Sequence, residues 1–130
     1  MKNIRVMIVD DDPMVSFLHQ KILQKNKIVQ EPLAFLNGKE AWDFLINDKT
    51  ETNYLILLDL NMPVLTGWQL LDKLVENECI SNRTKVVIVT SSINLADINK
   101  AKNYSLVEQY LIKPLLDLSE ILEIWEKLKK

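Results

Sequence analysis

Residues Leu55–Gly67 read LILLDLNMPVLTG, an apolar run that stops at a single carboxylate, Asp59. Asn61 follows two residues on, then Met62–Pro63, then a turn to Gly67. A run as uniformly apolar as Leu55–Leu58 is expected when helices cover both faces of a parallel sheet. Ligands of open α/β sheets bind outside the carboxyl ends of the strands. A carboxylate delivered to that end is therefore the beginning of a site, and the question for the rest of the chain is which residues meet it.

Strand-like and helix-like segments alternate along the sequence. Arg5–Val9 is a short β-branched first strand. Asp12 followed by Pro13 is a helix start, a side-chain cap and then a first-turn proline. The helix to about Asn26 should face inward through Val15, Leu18 and Ile22. Ile28–Phe35 is a second strand, and Pro32 within it points to a sheet edge, since proline cannot donate to the ladder. Asn37 with Glu40 three residues on caps a second helix through about Asn47, with Trp42 and Leu45 inward. Tyr54–Asp59 is the third strand. Thr66 with Gln69 has the capping-box pattern for a third helix, with Trp68, Leu71, Leu74 and Val75 inward.

Lys85–Val89 is a fourth strand ending in Thr90–Ser91–Ser92. The fourth predicted helix, about Asn94–Asn103, has a poor apolar stripe, mainly Leu95 and Ile98. Glu108–Ile112 is a fifth strand, followed by Lys113–Pro114. Asp117 and Glu120 open a fifth helix with Leu118, Ile121, Leu122, Trp125 and Leu128 on a broad face. Five βα units with right-handed crossovers predict an α/β fold, a doubly wound five-stranded parallel sheet with five helices. The second strand at an edge fits the flavodoxin-like order 2-1-3-4-5, whose switch point lies between strands 1 and 3.

Composition narrows the function classes. At 130 residues the chain is expected to be one domain, 1–130, with no output domain after the last helix. A net charge of −2 gives no global field that favours nucleic acid or an anionic membrane. Cys79 is the single cysteine, so there is neither an internal disulfide nor a thiolate metal site. No apolar stretch is long enough to span a bilayer, and no signal peptide is evident, so a cytoplasmic location is expected. His19, Cys79 and the three tryptophans are read as ordinary surface, loop or packing residues.

The strand ends carry the chemistry. Strands 1, 3, 4 and 5 end in Asp10–Asp11, Asp59, Thr90 and Lys113, and in a parallel sheet these lie on one rim. The switch point brings Asp10 and Asp11 beside Asp59. Carboxylates so close repel by about 1 kcal/mol per pair in water and several times more under partial burial. A hard divalent cation such as magnesium compensates such a set, and Lys113 supplies another positive charge. Asp10–Asp12 would repel a bare phosphate, unlike a flavodoxin loop. The chain also lacks the G-x-G-x-x-G of a dinucleotide site.

Taken together, VDDDP, LLDLNMP, VTSS and YLIKP, each at a strand end and in this order, resemble the receiver domain of two-component response regulators. The resemblance covers the whole chain and is to the stand-alone, CheY-like type. It implies that Asp59 is the phosphoacceptor, receiving a phosphoryl group from a phosphohistidine on a sensor histidine kinase or histidine phosphotransfer domain. It implies Mg2+ as cofactor, held by Asp11, Asp59 and the backbone carbonyl of Asn61. Asp10 would act through water or by holding Lys113. Lys113 would neutralise charge, Thr90 would hydrogen-bond the phosphoryl group, and Tyr110 would be the switch aromatic. The Lys113–Pro114 bond would be cis.

By the same resemblance the chain is no general enzyme; it would catalyse only its own phosphorylation and dephosphorylation. It would signal to a downstream protein through the fourth helix, fifth strand and fifth helix, and a phosphorylation-dependent dimer through this face stays open. No direct nucleic-acid contact and no membrane insertion are expected. Two other readings stand beside this one. Phosphatases of the haloacid-dehalogenase type use an Asp nucleophile but need a second Asp where this chain has Asn61. A degenerate module that is never phosphorylated would not need the full acid set. Thr66 replaces the family's usual acidic residue, and Asn103–Gln109 lacks its usual glycine.

Overall fold

The computed structural model describes residues 4–25, 31–62, 64–113 and 119–129. In chain order the elements are β1 Ile4–Val9, α1 Pro13–Lys25, β2 Leu33–Phe35, α2 Gly38–Asn47, β3 Asn53–Leu58 and α3 Gly67–Glu76. They continue with α4 Glu78–Ser81, β4 Thr84–Thr90, α5 Leu95–Ala101, β5 Val107–Ile112 and α6 Ser119–Lys129. The five strands are all parallel, in the expected order β2-β1-β3-β4-β5. Six helices stand among the described residues where five were predicted. The addition is the single turn α4, started by the Asn77 side chain accepting from the Ile80 N–H.

Period-two alternation splits the strand side chains between two cores. Met7, Val9, Ile56, Leu58, Val86 and Ile88 point to one face, against Ala41 and Leu45 of α2, Leu70, Leu71 and Leu74 of α3, and Ala101 of α5. Val6, Ile8, Leu55, Leu57, Val87 and Val89 point to the other, against Leu23 of α1 and Ile121 and Ile124 of α6. Both faces of β1, β3 and β4 are therefore covered, which is why those strands read as unbroken apolar runs.

Helix starts follow the capping residues. The Asn37 side chain accepts from the Glu40 N–H at 2.8 Å, and the Asp12 side chain accepts from Met14 at 3.0 Å. Thr66 and Gln69 close the reciprocal box, at 3.2 and 2.9 Å.

The inward faces differ from expectation in three helices. On α1 the buried residues are Ser16, His19 and Leu23, one position on from the expected stripe, and Leu18 is exposed. Burial of the Ser16 hydroxyl is tolerated because it accepts from Gln20 Nε2 at 3.3 Å. His19 is thus no surface residue. Burial, helped by the positive charge of Lys113, lowers its pKa from 6.5 to about 4, so it sits in the core as the neutral ring. On α3, Leu70 replaces Val75, which is exposed, because the cap at Thr66 fixes the helical phase. On α5 the expected stripe residue Leu95 is exposed and Ala101 is the buried one, because the cap at Asn94 puts Leu95 in the first turn, clear of the sheet. Strand β2 is Leu33–Phe35; Glu31 and Pro32, expected within the strand, lie ahead of it, since a proline has no N–H to give the ladder. Ile28–Gln30, Pro114, Asp117 and Leu118 lie outside the described residues.

Candidate functional site

Three site residues are fixed by ladders that run one residue past the strands. The Asp10 N–H donates to Phe35 at 3.1 Å, the Asp59 N–H to Val9 at 2.9 Å, and the Lys113 N–H to Thr90 at 3.0 Å. Each backbone is therefore pinned by its neighbouring strand, and the three side chains emerge together on the carboxyl rim.

Lys113 Nζ lies 3.0 Å from Asp10 Oδ2 and 3.2 Å from Asp59 Oδ2. Both carboxylates are nearly fully buried, and Asp11 is exposed. Carboxylate oxygens of Asp10, Asp11 and Asp59 all lie within 4.8 Å of one another. At that separation a pair of unit charges costs about 1 kcal/mol in water and about 3 kcal/mol at an effective dielectric near 20. Burial, above all, raises the Asp10 pKa, against a hydrogen bond from Asp12 and the charge of Lys113. Burial works against the Lys113 ammonium, but the bond to Asp10 and the two carboxylate charges outweigh it, and its pKa is raised.

The three carboxylates are not equivalent. Asp10 has both oxygens engaged: Oδ1 accepts from the Asp12 N–H at 2.9 Å and Oδ2 from Lys113. Asp59 gives one oxygen to Lys113, while the other accepts a long bond, 3.4 Å, from the Asn61 N–H. Hard oxygen donors in excess of the one paired ammonium, with Asp11 open to solvent, fit a divalent cation of the magnesium kind.

Residues around this core divide into those that touch it and those that do not. Thr90 is fully buried, and its hydroxyl accepts from the Ser92 N–H at 3.4 Å. The half-buried Tyr110 donates its hydroxyl to the Ser92 carbonyl at 2.9 Å. Burial, chiefly, raises the Tyr110 pKa; the Ser92 bond opposes the shift, and the charges of Asp97 and Asp59 add to it. Sequence reasoning missed Asp97, which accepts from the Ser92 hydroxyl at 2.7 Å; a first-turn acid in a helix carries no distinguishing signal.

The loop after β3 is held close. A Cβ on Gly67 would fall 2.4 Å from the Asp59 carbonyl oxygen, so only glycine fits where α3 starts against the strand end. In the same loop Val64 has φ 71°, a left-handed conformation that a β-branched residue adopts at a cost of about 1–3 kcal/mol. Nothing in the sequence around Val64 marks that conformation.

Residues 6–126 match the family model described as the response regulator receiver domain. The chain belongs to that family. Among curated relatives of this receiver, the Two-component response regulator 24 of Arabidopsis thaliana is 32% identical over 94% of this chain and 81% of its own length. The transcriptional regulatory protein DcuR of Escherichia coli and the hybrid signal transduction histidine kinase G of Dictyostelium discoideum are each 32% identical. They match 85% and 88% of this chain, which spans only 44% and 3% of their respective lengths. A two-component response regulator of Cytophaga hutchinsonii superposes with a TM-score of 0.85 at 27% identity, covering 99% of this chain and 98% of its own. The receiver's acidic pocket is consistent with a phosphoacceptor site, and no helix among the described residues is long and apolar enough to cross a membrane.

Proposed function

We propose that this receiver takes a phosphoryl group onto Asp59 from a phosphohistidine of a sensor kinase or phosphotransfer protein. The observation that carries the reading is the asymmetry of Asp59. One oxygen is bonded to Lys113, while the other, among the described residues, accepts only a long backbone bond, so a single oxygen is left for nucleophilic attack. The carboxylate attacks phosphorus, the P–N bond to the histidine breaks, and the imidazole leaves with the bonding electron pair. An acyl phosphate results.

Charge on the transferring oxygens must be neutralised for this step. Lys113 is in place to do so. Asp11, Asp59 and the Asn61 carbonyl would hold magnesium, and Asp10, with both oxygens engaged, would orient Lys113 and act through water. The chemistry that ion supplies when bound is charge neutralisation between the carboxylates and a phosphoryl oxygen. Thr90 would donate its hydroxyl to the phosphoryl group, and Tyr110 would respond.

Output would pass through the α5–β5–α6 face to a downstream protein. Support comes from α5, where Ala101 is buried while Ile93 and Leu95, beside and within the helix, are 77% and 72% exposed. An element so lightly packed can shift its population when a local charge changes. The test is 19F NMR of the chain titrated with beryllium fluoride, an acyl-phosphate mimic, in the presence of magnesium. A bound resonance that vanishes in Asp59→Asn is expected; no bound resonance in wild-type would overturn the proposal.

A further inference from the structure

Every hydrogen-bonding group of Ser92 is used. Its N–H donates to the Thr90 hydroxyl at 3.4 Å, and its carbonyl accepts from the Tyr110 hydroxyl at 2.9 Å. Its own hydroxyl donates to Asp97 Oδ2 at 2.7 Å and accepts from the Asn94 N–H at 3.3 Å. The end of β4, the aromatic on β5 and the first turn of α5 therefore meet at one residue. The links differ in strength. The bond to Thr90 is at the outer limit for N–H···O, whereas the bond to Asp97 is short and charge-assisted.

The other end of α5 is held separately. Just past the helix, the Tyr104 ring stacks on Trp68 of α3, with centroids 5.8 Å apart and planes 29° from parallel. The Tyr104 hydroxyl donates to Asp72 at 2.7 Å, and Lys100 Nζ sits 4.5 Å from the centre of the Trp68 ring. The helix is thus fastened to α3 at its carboxyl end and to Ser92 at its amino end.

We infer that Asp97 is a positioning residue that, through Ser92, couples the phosphoryl state of Asp59 to the orientation of α5. The inference rests on Asp59 being the phosphoacceptor. A phosphoryl oxygen that takes the Thr90 hydroxyl proton as a hydrogen bond reorients that hydroxyl and breaks its weak bond with Ser92. Ser92 then carries its two strong bonds with it, to Tyr110 and to Asp97. Because the Trp68–Tyr104 contact holds the far end, α5 pivots about Ala101 instead of translating. Each state has its own contacts, as a two-state switch requires.

The experiment is amide hydrogen exchange across Leu95–Ala101, with and without beryllium fluoride and magnesium, in wild-type, Asp97→Ala, Asp97→Asn and Ser92→Ala. Wild-type exchange should change by about tenfold on adding the mimic, within the usual range of coupling between sites. The change should fall to about twofold or less in Asp97→Ala, while its rate of phosphorylation by acetyl phosphate is kept. Asp97→Asn, which retains an oxygen acceptor, should restore most of it. Ser92→Ala should mimic Asp97→Ala, and combining the two should add nothing. If Asp97 served only as a favourable charge at a helix start, Asp97→Ala would speed exchange equally in both states and leave the difference intact. That result overturns the inference. A wild-type chain with no response to beryllium fluoride would remove the phosphoacceptor reading, and this inference with it.

Discussion

One methyl group at Gly67 measures how closely α3 is tied to the end of β3 that carries Asp59. In Gly67→Ala the new Cβ would meet the Asp59 carbonyl oxygen at 2.4 Å, the Leu60 Cα at 2.8 Å and the Asp59 carbonyl carbon at 3.1 Å. All three are backbone atoms, so no side chain can turn aside. Ordinary carbon contacts lie near ~3.5 Å, so strand end and helix start must part by about 1 Å. The Gly67 N–H donates to the Leu60 carbonyl at 3.0 Å, and parting stretches that bond. Gly67 does not have a positive φ, so the effect is one of space alone.

Overpacking costs about 1–3 kcal/mol and a lost hydrogen bond about 1 kcal/mol, while alanine returns up to about 1 kcal/mol of helix preference. The net is a loss of about 2 kcal/mol, read from urea denaturation. The site suffers more. Asp59 Oδ2 is 3.2 Å from Lys113 Nζ, and a shift of that size takes the pair out of hydrogen-bonding range. Misplacement on this scale can cost ~100-fold in rate, so phosphorylation by acetyl phosphate should slow by about 10- to 100-fold. A Gly67→Ala chain as stable as wild-type and phosphorylated at the wild-type rate would refute the reasoning.

Lys113→Met leaves Asp10 and Asp59 buried without their counter-charge and should destabilise by about 3 kcal/mol near neutral pH. Burial already raises the Asp10 pKa and loss of Lys113 raises it further, so the deficit should shrink as pH falls and Asp10 protonates; denaturation at two pH values checks this, and a constant deficit would contradict it. His19 titrates at about 4 when folded against 6.5 ordinarily, so between those values the unfolded chain binds the extra proton. Its contribution is full above pH 6.5 and falls by about 3 kcal/mol as pH drops through the folded pKa. The stability difference between wild-type and His19→Gln, followed from pH 8 to 4, should show that slope, and a flat difference would count against a buried neutral ring. Asn37→Ala removes the α2 cap and should cost about 1 kcal/mol in urea denaturation, with Asn37→Asp close to wild-type.

The sheet was legible because its three central strands are apolar on both faces; the edge position of β2 was reached from Pro32, although that proline precedes the strand and does not lie in it. The acid site was legible for a related reason. Asp10, Asp59, Thr90 and Lys113 each follow an apolar run, and parallel pairing brings all such ends to one rim. Helix faces were less so. Reading α1 by hydrophobicity favoured Val15, Leu18 and Ile22, yet Ser16 and His19 go inside because a serine with an acceptor role and a neutral imidazole can both be buried. The single turn α4 is too short to leave a period in the sequence. The Ser92 junction was hidden for another reason. It depends on loop path and rotamers, which place the hydroxyl of Ser92 on Asp97 and its carbonyl on Tyr110 without any spacing rule that would announce either.

The measurement that bears most directly on the central claim is intact-protein mass after incubation with magnesium and acetyl phosphate, beside Asp59→Asn and a magnesium-free sample. A gain of one phosphoryl group is expected in wild-type and none in either control. A phosphoryl group retained in Asp59→Asn would contradict the claim. So would a wild-type chain that gains none and also fails to respond to beryllium fluoride.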